Sequence, residues 1–106
     1  MIRGTIIFDL LTAANITAFP IIADSGANTP FAVYRRNNFD ISSKDGSILI
    51  TYEVKFVANS YASSLEMLNS FLNVAKGFEI EDFGEEFNDN YYINTIQITI
   101  ENEYNV

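Results

Sequence analysis

Cysteine and histidine are both absent from this 106-residue sequence. Without cysteine the chain can form neither a disulfide nor a thiolate metal site. Without histidine it lacks the commonest general base, the Ser-His and Cys-His nucleophile pairs and the commonest zinc ligand. A pair of carboxylates can still hydrolyse a glycoside, but it needs a cleft that keeps one of them protonated. We therefore expect a protein that is not an enzyme and that carries no cofactor.

Long apolar runs are also missing. No run approaches the roughly 20 residues that a membrane-spanning helix needs. The first eleven residues contain one early arginine and a short apolar stretch, but Asp9 interrupts it and no small-residue cleavage site follows. We expect neither a membrane segment nor a signal peptide. Apolar residues make up 48% of the chain, enough for a core in a single domain over residues 1–106.

Basic residues are missing from residues 77–106. Residues 1–76 hold six acids and all six basic residues, whereas 77–106 hold the other eight acids and therefore the whole net charge of −8. Six carboxylates lie within Phe78–Asp89: Glu79, Glu81, Asp82, Glu85, Glu86 and Asp89. Proteins hold DNA through lysines and arginines that neutralise phosphates, so we expect no stable nucleic-acid binding through this half.

Three interpretations of Phe78–Asp89 are open at this point. A calcium site is one, but the spacing of the acids is not that of an EF-hand loop, so we expect no metal. A solvated, twisted hairpin is the second, with Phe78, Ile80, Phe83 and Phe87 pointing in and the carboxylates pointing out. A functional acidic surface that contacts another protein is the third.

Arg35 and Arg36 form the only pair of adjacent basic residues. Neighbouring side chains of a strand point to opposite faces, so the two cannot form one anion clamp unaided. They are either surface residues, one of them paired with an acid from residues 79–89, or an intersubunit contact. In the second case they meet the acidic patch of an identical copy, and such a heterologous contact builds rings or filaments.

Two stretches have helical spacing, residues 2–14 and residues 61–76. Asn15 is a plausible left-handed end for the first. Residues 63–66, Ser-Ser-Leu-Glu, fit a capping box for the second, with Ser60 as a rival cap one turn earlier. The apolar positions of the second helix are a leucine stripe with further apolar residues beside it: Leu65, Leu68, Leu72 and Ala75, then Met67, Phe71 and Val74.

The extended elements are an edge segment at 16–23, a strand near 31–39, a turn at 44–46, a strand at 48–58 and a final strand at 91–101. Pro20 has no backbone N–H to donate to a neighbouring strand, which indicates that this segment lies at an edge of the sheet. Ile93 is out of phase with the final strand, which predicts a bulge or strong twist near Asn94. If that strand lies at the sheet edge, its uncharged outer row invites pairing with another strand.

The order of these elements, α-β-β-β-α-β-β, predicts an α+β fold. We expect two helices packed on a mostly antiparallel, twisted sheet of about four to five strands.

Read in order, several stretches resemble the tail-completion, or tail-terminator-like, proteins of bacteriophages and prophages. They are L-L-T-A-A (10–14), A-F-P-I-I-A-D-S-G-A-N-T-P-F-A-V-Y-R-R (18–36), Y-E-V-K-F-V-A-N-S-Y-A-S-S-L-E-M-L (52–68) and F-N-D-N-Y-Y-I-N-T-I-Q-I-T-I (87–100). Phe19-Pro20 stands where the family more usually has Tyr-Pro. The resemblance covers most of the chain and includes no active-site motif.

This resemblance implies a structural subunit without catalytic residues. The family's members resemble ring-forming proteins, often hexamers, that cap the tail tube and join it to the head. The implied partners are copies of the chain itself, tail-tube proteins and head-connector proteins. The implied location is the bacterial cytoplasm during assembly and then the tail or neck of the virion. The alternative is a small cytoplasmic protein-binding module that uses an acidic face or an exposed edge strand.

Overall fold

A layer of two helices lies on a five-stranded sheet in the computed structural model, which describes residues 5–23, 26–41 and 48–101. The elements are α1 (Thr5–Ala13), β1 (Ala18–Pro20), β2 (Phe31–Ile41), β3 (Ile48–Ala58), α2 (Tyr61–Val74), β4 (Glu79–Asn88) and β5 (Tyr91–Glu101). The strand order across the sheet is β1-β2-β3-β5-β4. Only the β1–β2 pair is parallel among the described strands. The predicted α+β fold is confirmed.

The first helix ends where the sequence predicts. Asn15 adopts a left-handed conformation with φ 60°. Its N–H donates to the Thr12 carbonyl at 3.0 Å, and the N–H of Ile16 donates to the Leu11 carbonyl at 3.0 Å. These two bonds are those of a Schellman motif, which satisfies the last carbonyls of the helix. Ile16 and Leu11 are both buried, so the cap also joins the helix end to the core.

The second helix begins one turn earlier than the capping box suggests. Ser60 is the N-cap, and its Oγ accepts a hydrogen bond from the N–H of Ser63 at 3.2 Å. The predicted box at residues 63–66 is therefore wrong, and the rival cap is right. The reason lies in the environment of Ser64. This residue is fully buried, and its Oγ donates to the carbonyl of Phe56 on β3 at 3.1 Å. A helix that began after Ser63 would not hold that hydroxyl against the sheet.

The two ends of the sheet differ in their strands. β1 is a three-residue edge strand that ends at Pro20, as predicted for the segment 16–23. β2 and β3 pair antiparallel as far as Ile41 opposite Ile48, and the predicted turn at 44–46 lies outside the described residues. At the other end, β4 is the edge and β5 lies inside the sheet. The condition under which the final strand would invite pairing is therefore not met.

The sequence predicts a bulge or a strong twist near Asn94, and β5 itself carries no bulge there. β5 pairs with β3 along its length without a register shift, and the irregularity instead lies in β4, between Asp82 and Glu85. Asn94 is buried in phase with Ile96 and the isoleucines that follow it, so it belongs to the core-facing row.

One core lies between the helices and one face of the sheet, here called the helix face. Its buried residues are Ile7, Leu11, Ile16, Ala32, Ile50, Tyr52, Val54, Phe56, Ala58, Met67, Phe71, Ala75, Ile96, Ile98 and Ile100. The opposite face, here called the open face, presents half-exposed residues: Thr51, Glu53 and Lys55 of β3, and Ile93, Thr95, Gln97 and Thr99 of β5. Neither described helix is long and apolar enough to cross a membrane.

Candidate functional site: the acidic edge strand

Five of the six predicted acidic residues lie on β4, and Asp89 lies in the turn that follows it. β4 and β5 form a hairpin whose two turn residues, Asp89 and Asn90, have φ 53° and 69°. Positive φ at both positions is typical of the tight turn that matches strand twist. Because β4 pairs only with β5 in the described part of the sheet, its outer side is an open edge. The carboxylates therefore sit on a solvated edge hairpin.

The apolar residues of Phe78–Asp89 do not all point inward as the hairpin interpretation expects. Phe78 and Ile80 pack partly buried against the core. Phe83 and Phe87, however, are 47% and 61% exposed. α2 packs mainly on β3 and β5, so Phe87, which lies on the helix face opposite Tyr92, is not covered by the helix. The hairpin interpretation, in which both side chains point in, is therefore wrong for these two phenylalanines.

The bulge in β4 determines which face each carboxylate occupies. Asp82 lies opposite Ile96 and Glu85 lies opposite Asn94, both on the helix face. Two residues three positions apart would lie on opposite faces of a regular strand. The extra residue of the bulge brings them to the same face. Gly84 makes this geometry possible with φ 92°, and its N–H donates to Asp82 Oδ1 at 2.9 Å.

The other three carboxylates of β4 lie on the open face. Glu79 is opposite Thr99, Glu81 is opposite Gln97, and Glu86 is opposite Ile93. The acidic residues of the strand are therefore divided between both faces of the sheet. Across the described residues, no group of three or more acidic side chains forms a site that could hold a metal ion.

Glu85 connects β4 to the start of α2. The hydroxyl of Tyr61 donates to Glu85 Oε1 at 3.1 Å. This hydrogen bond, followed by the negative charge of Glu85 and a smaller desolvation effect, raises the pKa of Tyr61 above its usual 10.0. The ring of Tyr61 also packs edge-on against Tyr92 at 6.1 Å, and Tyr92 packs against Phe87 at 4.8 Å. Aromatic contacts and a hydrogen bond thus attach the far end of β4 to the helix.

We expect the Glu85→Gln substitution to lower the pKa of Tyr61 towards its usual value, because it removes the charge that opposes the tyrosinate. In the native protein the hydrogen bond favours the neutral hydroxyl. Its contribution to stability is therefore present below the unfolded pKa and is lost as the pH rises through the raised value. An NMR titration of the tyrosine Cζ signals, assigned with Tyr61→Phe, measures this. Glu86→Gln, which changes a carboxylate of the open face, is the control and should leave the titration of Tyr61 unchanged.

The arginine pair lies on the opposite side of the sheet from β4. Arg35 is on the open face, where its Nε lies 3.5 Å from Glu53 Oε1. Its ion-pair partner is thus a neighbour on β3 and not, as one interpretation has it, an acid from residues 79–89. Arg36 is opposite Tyr52, on the helix face, so the two arginines point to opposite faces as predicted. β3 and β5 separate β2 from β4, a distance of roughly 14 Å at the usual strand spacing.

A groove between α2 and β4 is a feature that the sequence reasoning missed. It has a volume of about 640 Å³ and is lined by Leu65, Leu68, Leu72, Ile80, Asp82, Gly84, Glu85, Asn94 and Ile96. The leucine stripe of α2 forms one wall, whereas Met67 and Phe71 face the core. A sequence signal was present, because α2 has more apolar positions than one buried face needs. It did not indicate which of them remain accessible.

A scan against protein-family models finds no match for the chain, and a search of curated proteins finds none either. The described residues offer three features that bear on function: the acidic edge strand, the groove beside it and the arginine pair across the sheet.

Proposed function

We propose that this protein is a non-enzymatic structural subunit of a phage or prophage tail, of the tail-completion or tail-terminator-like kind. It assembles with copies of itself into a ring at the interface between head and tail. Support comes from the ordered resemblance of four sequence stretches and from the distribution of charge over the sheet. The distribution of charge over the sheet is the observation on which the proposal mainly rests.

Opposite charges lie on opposite sides of one subunit. β4, at one edge of the sheet, carries five carboxylates and no basic residue. Arg35 and Arg36 lie on β2, next to the other edge. When identical subunits are placed side by side by rotation, the basic side of one faces the acidic side of the next. Such a heterologous contact closes into a ring when the rotation closes, and the complementary charges set its register.

A ring also gives the acidic residues a physical role. Glu79, Glu81 and Glu86 share the open face, so a ring repeats them around one axis. Carboxylates that line a conduit repel phosphate, and DNA then passes without binding. On an outer rim, the same residues receive a basic patch of the tail-tube or head-connector protein. In both arrangements the protein acts in the bacterial cytoplasm during assembly and in the tail or neck of the virion afterwards.

The proposal predicts a solution mass of about six chains at low salt, measured by light scattering after size-exclusion chromatography at two protein concentrations. High salt should lower the mass, because screening weakens contacts between exposed charges. The double variant Arg35→Gln/Arg36→Gln should dissociate to single chains. Lys76→Gln removes one basic residue from the end region of α2 and serves as the control that retains the native mass.

Circular dichroism of the double variant shows whether it remains folded, since Arg35 also pairs with Glu53. A folded double variant that keeps the native mass would remove the arginine pair from the contact. A native protein that stays monomeric at every salt and protein concentration would contradict self-assembly. In that case the alternative function, a small protein-binding module, is favoured by the groove between α2 and β4.

A further inference from the structure

The open edge of β4 and the groove beside it form one continuous surface. We propose that this surface binds an extended segment of a partner protein, in which apolar residues alternate with basic ones, as a sixth strand of the sheet. The inference goes beyond the proposed function: the ring contact uses the charge of β4, whereas this binding uses its free backbone edge and the groove, so it applies where no neighbouring subunit covers that edge. Three features support it: the open edge, the position of the groove and the distribution of the carboxylates.

The edge of β4 is long enough to bind another strand. β4 has ten residues and no proline, and no strand in the described part of the chain pairs with its outer side. Natural edge strands are usually protected by shortness, proline, charge or a bulge. β4 is protected by its charge and by a bulge, and the charge determines which strands can pair with it. Two copies of β4 repel each other because both are acidic, whereas a basic strand is attracted.

The position of the groove at the edge of the sheet favours a strand over a helix. Packed helices lie 8–10 Å apart, whereas neighbouring strands lie about 4.8 Å apart. α2 packs on β3 and β5, and the groove lies between α2 and β4 at the free edge of the sheet. A second helix beside α2 would extend beyond the edge of the sheet. An added strand instead continues the sheet and directs every second side chain towards the leucines of α2.

The faces of β4 specify the chemistry of the added strand. On the helix face the side chains of the added strand meet the apolar groove wall formed by Leu68 and Leu72. The two carboxylates of that face, Asp82 and Glu85, already accept hydrogen bonds from the Gly84 N–H and the Tyr61 hydroxyl. On the open face the side chains of the added strand meet Glu79, Glu81 and Glu86. Cross-strand pairs of opposite charge stabilise a sheet. Apolar residues towards the groove and basic residues towards the open face produce strict alternation along the bound segment.

The described strands of the chain itself do not have this pattern at an edge. β1 contains no basic residue. In β2 the two arginines are adjacent and do not alternate with apolar residues. β3 contains a single lysine and lies inside the sheet. The occupant that fits is therefore a segment of a different protein and not a strand from a second copy.

A synthetic peptide, acetyl-KLKVKLKV-amide, tests the inference by isothermal titration calorimetry with the full chain. The control peptide, acetyl-KKKKLVLV-amide, has the same composition and charge without the alternation. We expect the alternating peptide to bind about tenfold more tightly or better, because it alone presents its apolar side chains to the groove and its lysines to the open face. It should also slow hydrogen exchange of the β4 backbone amides.

A matched pair of variants tests the groove. Leu72 lines the groove and is 38% exposed, whereas Leu49 lies outside it and is 37% exposed. Leu72→Ser should reduce the affinity for the alternating peptide several-fold, while Leu49→Ser leaves it unchanged. Thermal unfolding of both variants checks that each remains folded, as their partial exposure leads us to expect.

Three results would overturn the inference. Equal affinity for the two peptides would mean that charge alone attracts them. Equal effects of the two serine variants would mean that the groove takes no part. Dissociation of an oligomer by the alternating peptide would assign the surface to a second copy. The solution mass is measured separately, so a monomer that binds the alternating peptide contradicts the ring and leaves this inference intact.

Discussion

Replacement of Phe71 by alanine is expected to lower the free energy of unfolding by about 3–5 kcal/mol, the usual loss for a buried phenylalanine. Phe71 is fully buried in α2, and its ring centroid lies 5.5 Å from that of Phe56 on β3. Truncation removes both the apolar contact area and the tilted ring contact between the helix and the centre of the sheet. It also leaves a cavity that a close-packed core fills only in part.

Urea unfolding measures the loss, with Leu72→Ala as the control. Leu72 is the next residue of the same helix but is 38% exposed, so its truncation should cost about 1 kcal/mol or less. The two substitutions together determine how α2 is rotated about its axis. If Leu72→Ala destabilised the protein as much as Phe71→Ala, the leucine stripe would face the core, contrary to the structure.

The parts of the fold that the sequence predicts correctly are those determined by local chemistry. The alternation in β3 and the stop at Asn15 need only a few neighbouring residues, and both are observed. The short edge strand follows from the missing N–H of Pro20. The order of elements follows from the spacing of apolar residues, and it is sufficient for the α+β class.

The rotation of α2 could not be predicted because the helix offers two adjacent apolar stripes. Periodicity gives the leucine stripe and the stripe containing Phe71 similar weight. Tertiary contacts decide between them. Ser60 caps the helix, and Ser64 then reaches the carbonyl of Phe56. The groove exists because this choice leaves the leucines beside β4.

The sequence also could not predict which strands are neighbours in the sheet, since strand order depends on pairing between residues that are distant in the chain. Of the three interpretations of Phe78–Asp89, the hairpin agrees with the pairing of β4 and β5 but not with the exposure of Phe83 and Phe87. Charge is also one of the ways in which edge strands are protected, so the stretch Glu79–Asn88 could have been assigned to an edge. Gly84 was the remaining clue, because an isolated glycine in a strand often marks a bulge. Without that bulge, Asp82 and Glu85 would lie on different faces.

Ser64→Ala is the second substitution with a large expected effect, a loss of about 2–3 kcal/mol. Ser64 Oγ accepts from Asn94 Nδ2 at 2.8 Å and donates to the carbonyl of Phe56 at 3.1 Å. Ser64 and Asn94 are the two buried polar residues among those described, with 0% and 5% of their surfaces exposed. Alanine removes the hydroxyl and leaves the buried amide of Asn94 without this acceptor. The cost is therefore that of an unsatisfied polar group rather than that of a lost methylene.

A double-mutant cycle with Asn94→Val distinguishes these two causes. Removing both partners also removes the unsatisfied amide, and valine suits a strand. We therefore expect Ser64→Ala/Asn94→Val to be no less stable than Ser64→Ala alone, so that the two losses do not add. Ser63→Ala is the matched control, because its N–H still reaches the Ser60 cap, and it should change stability by no more than about 0.5 kcal/mol. Strictly additive losses in the cycle would show that the two side chains do not depend on each other. The buried hydrogen bond would then not be what holds α2 in its observed rotation, with the leucines turned to the groove and Phe71 to the core.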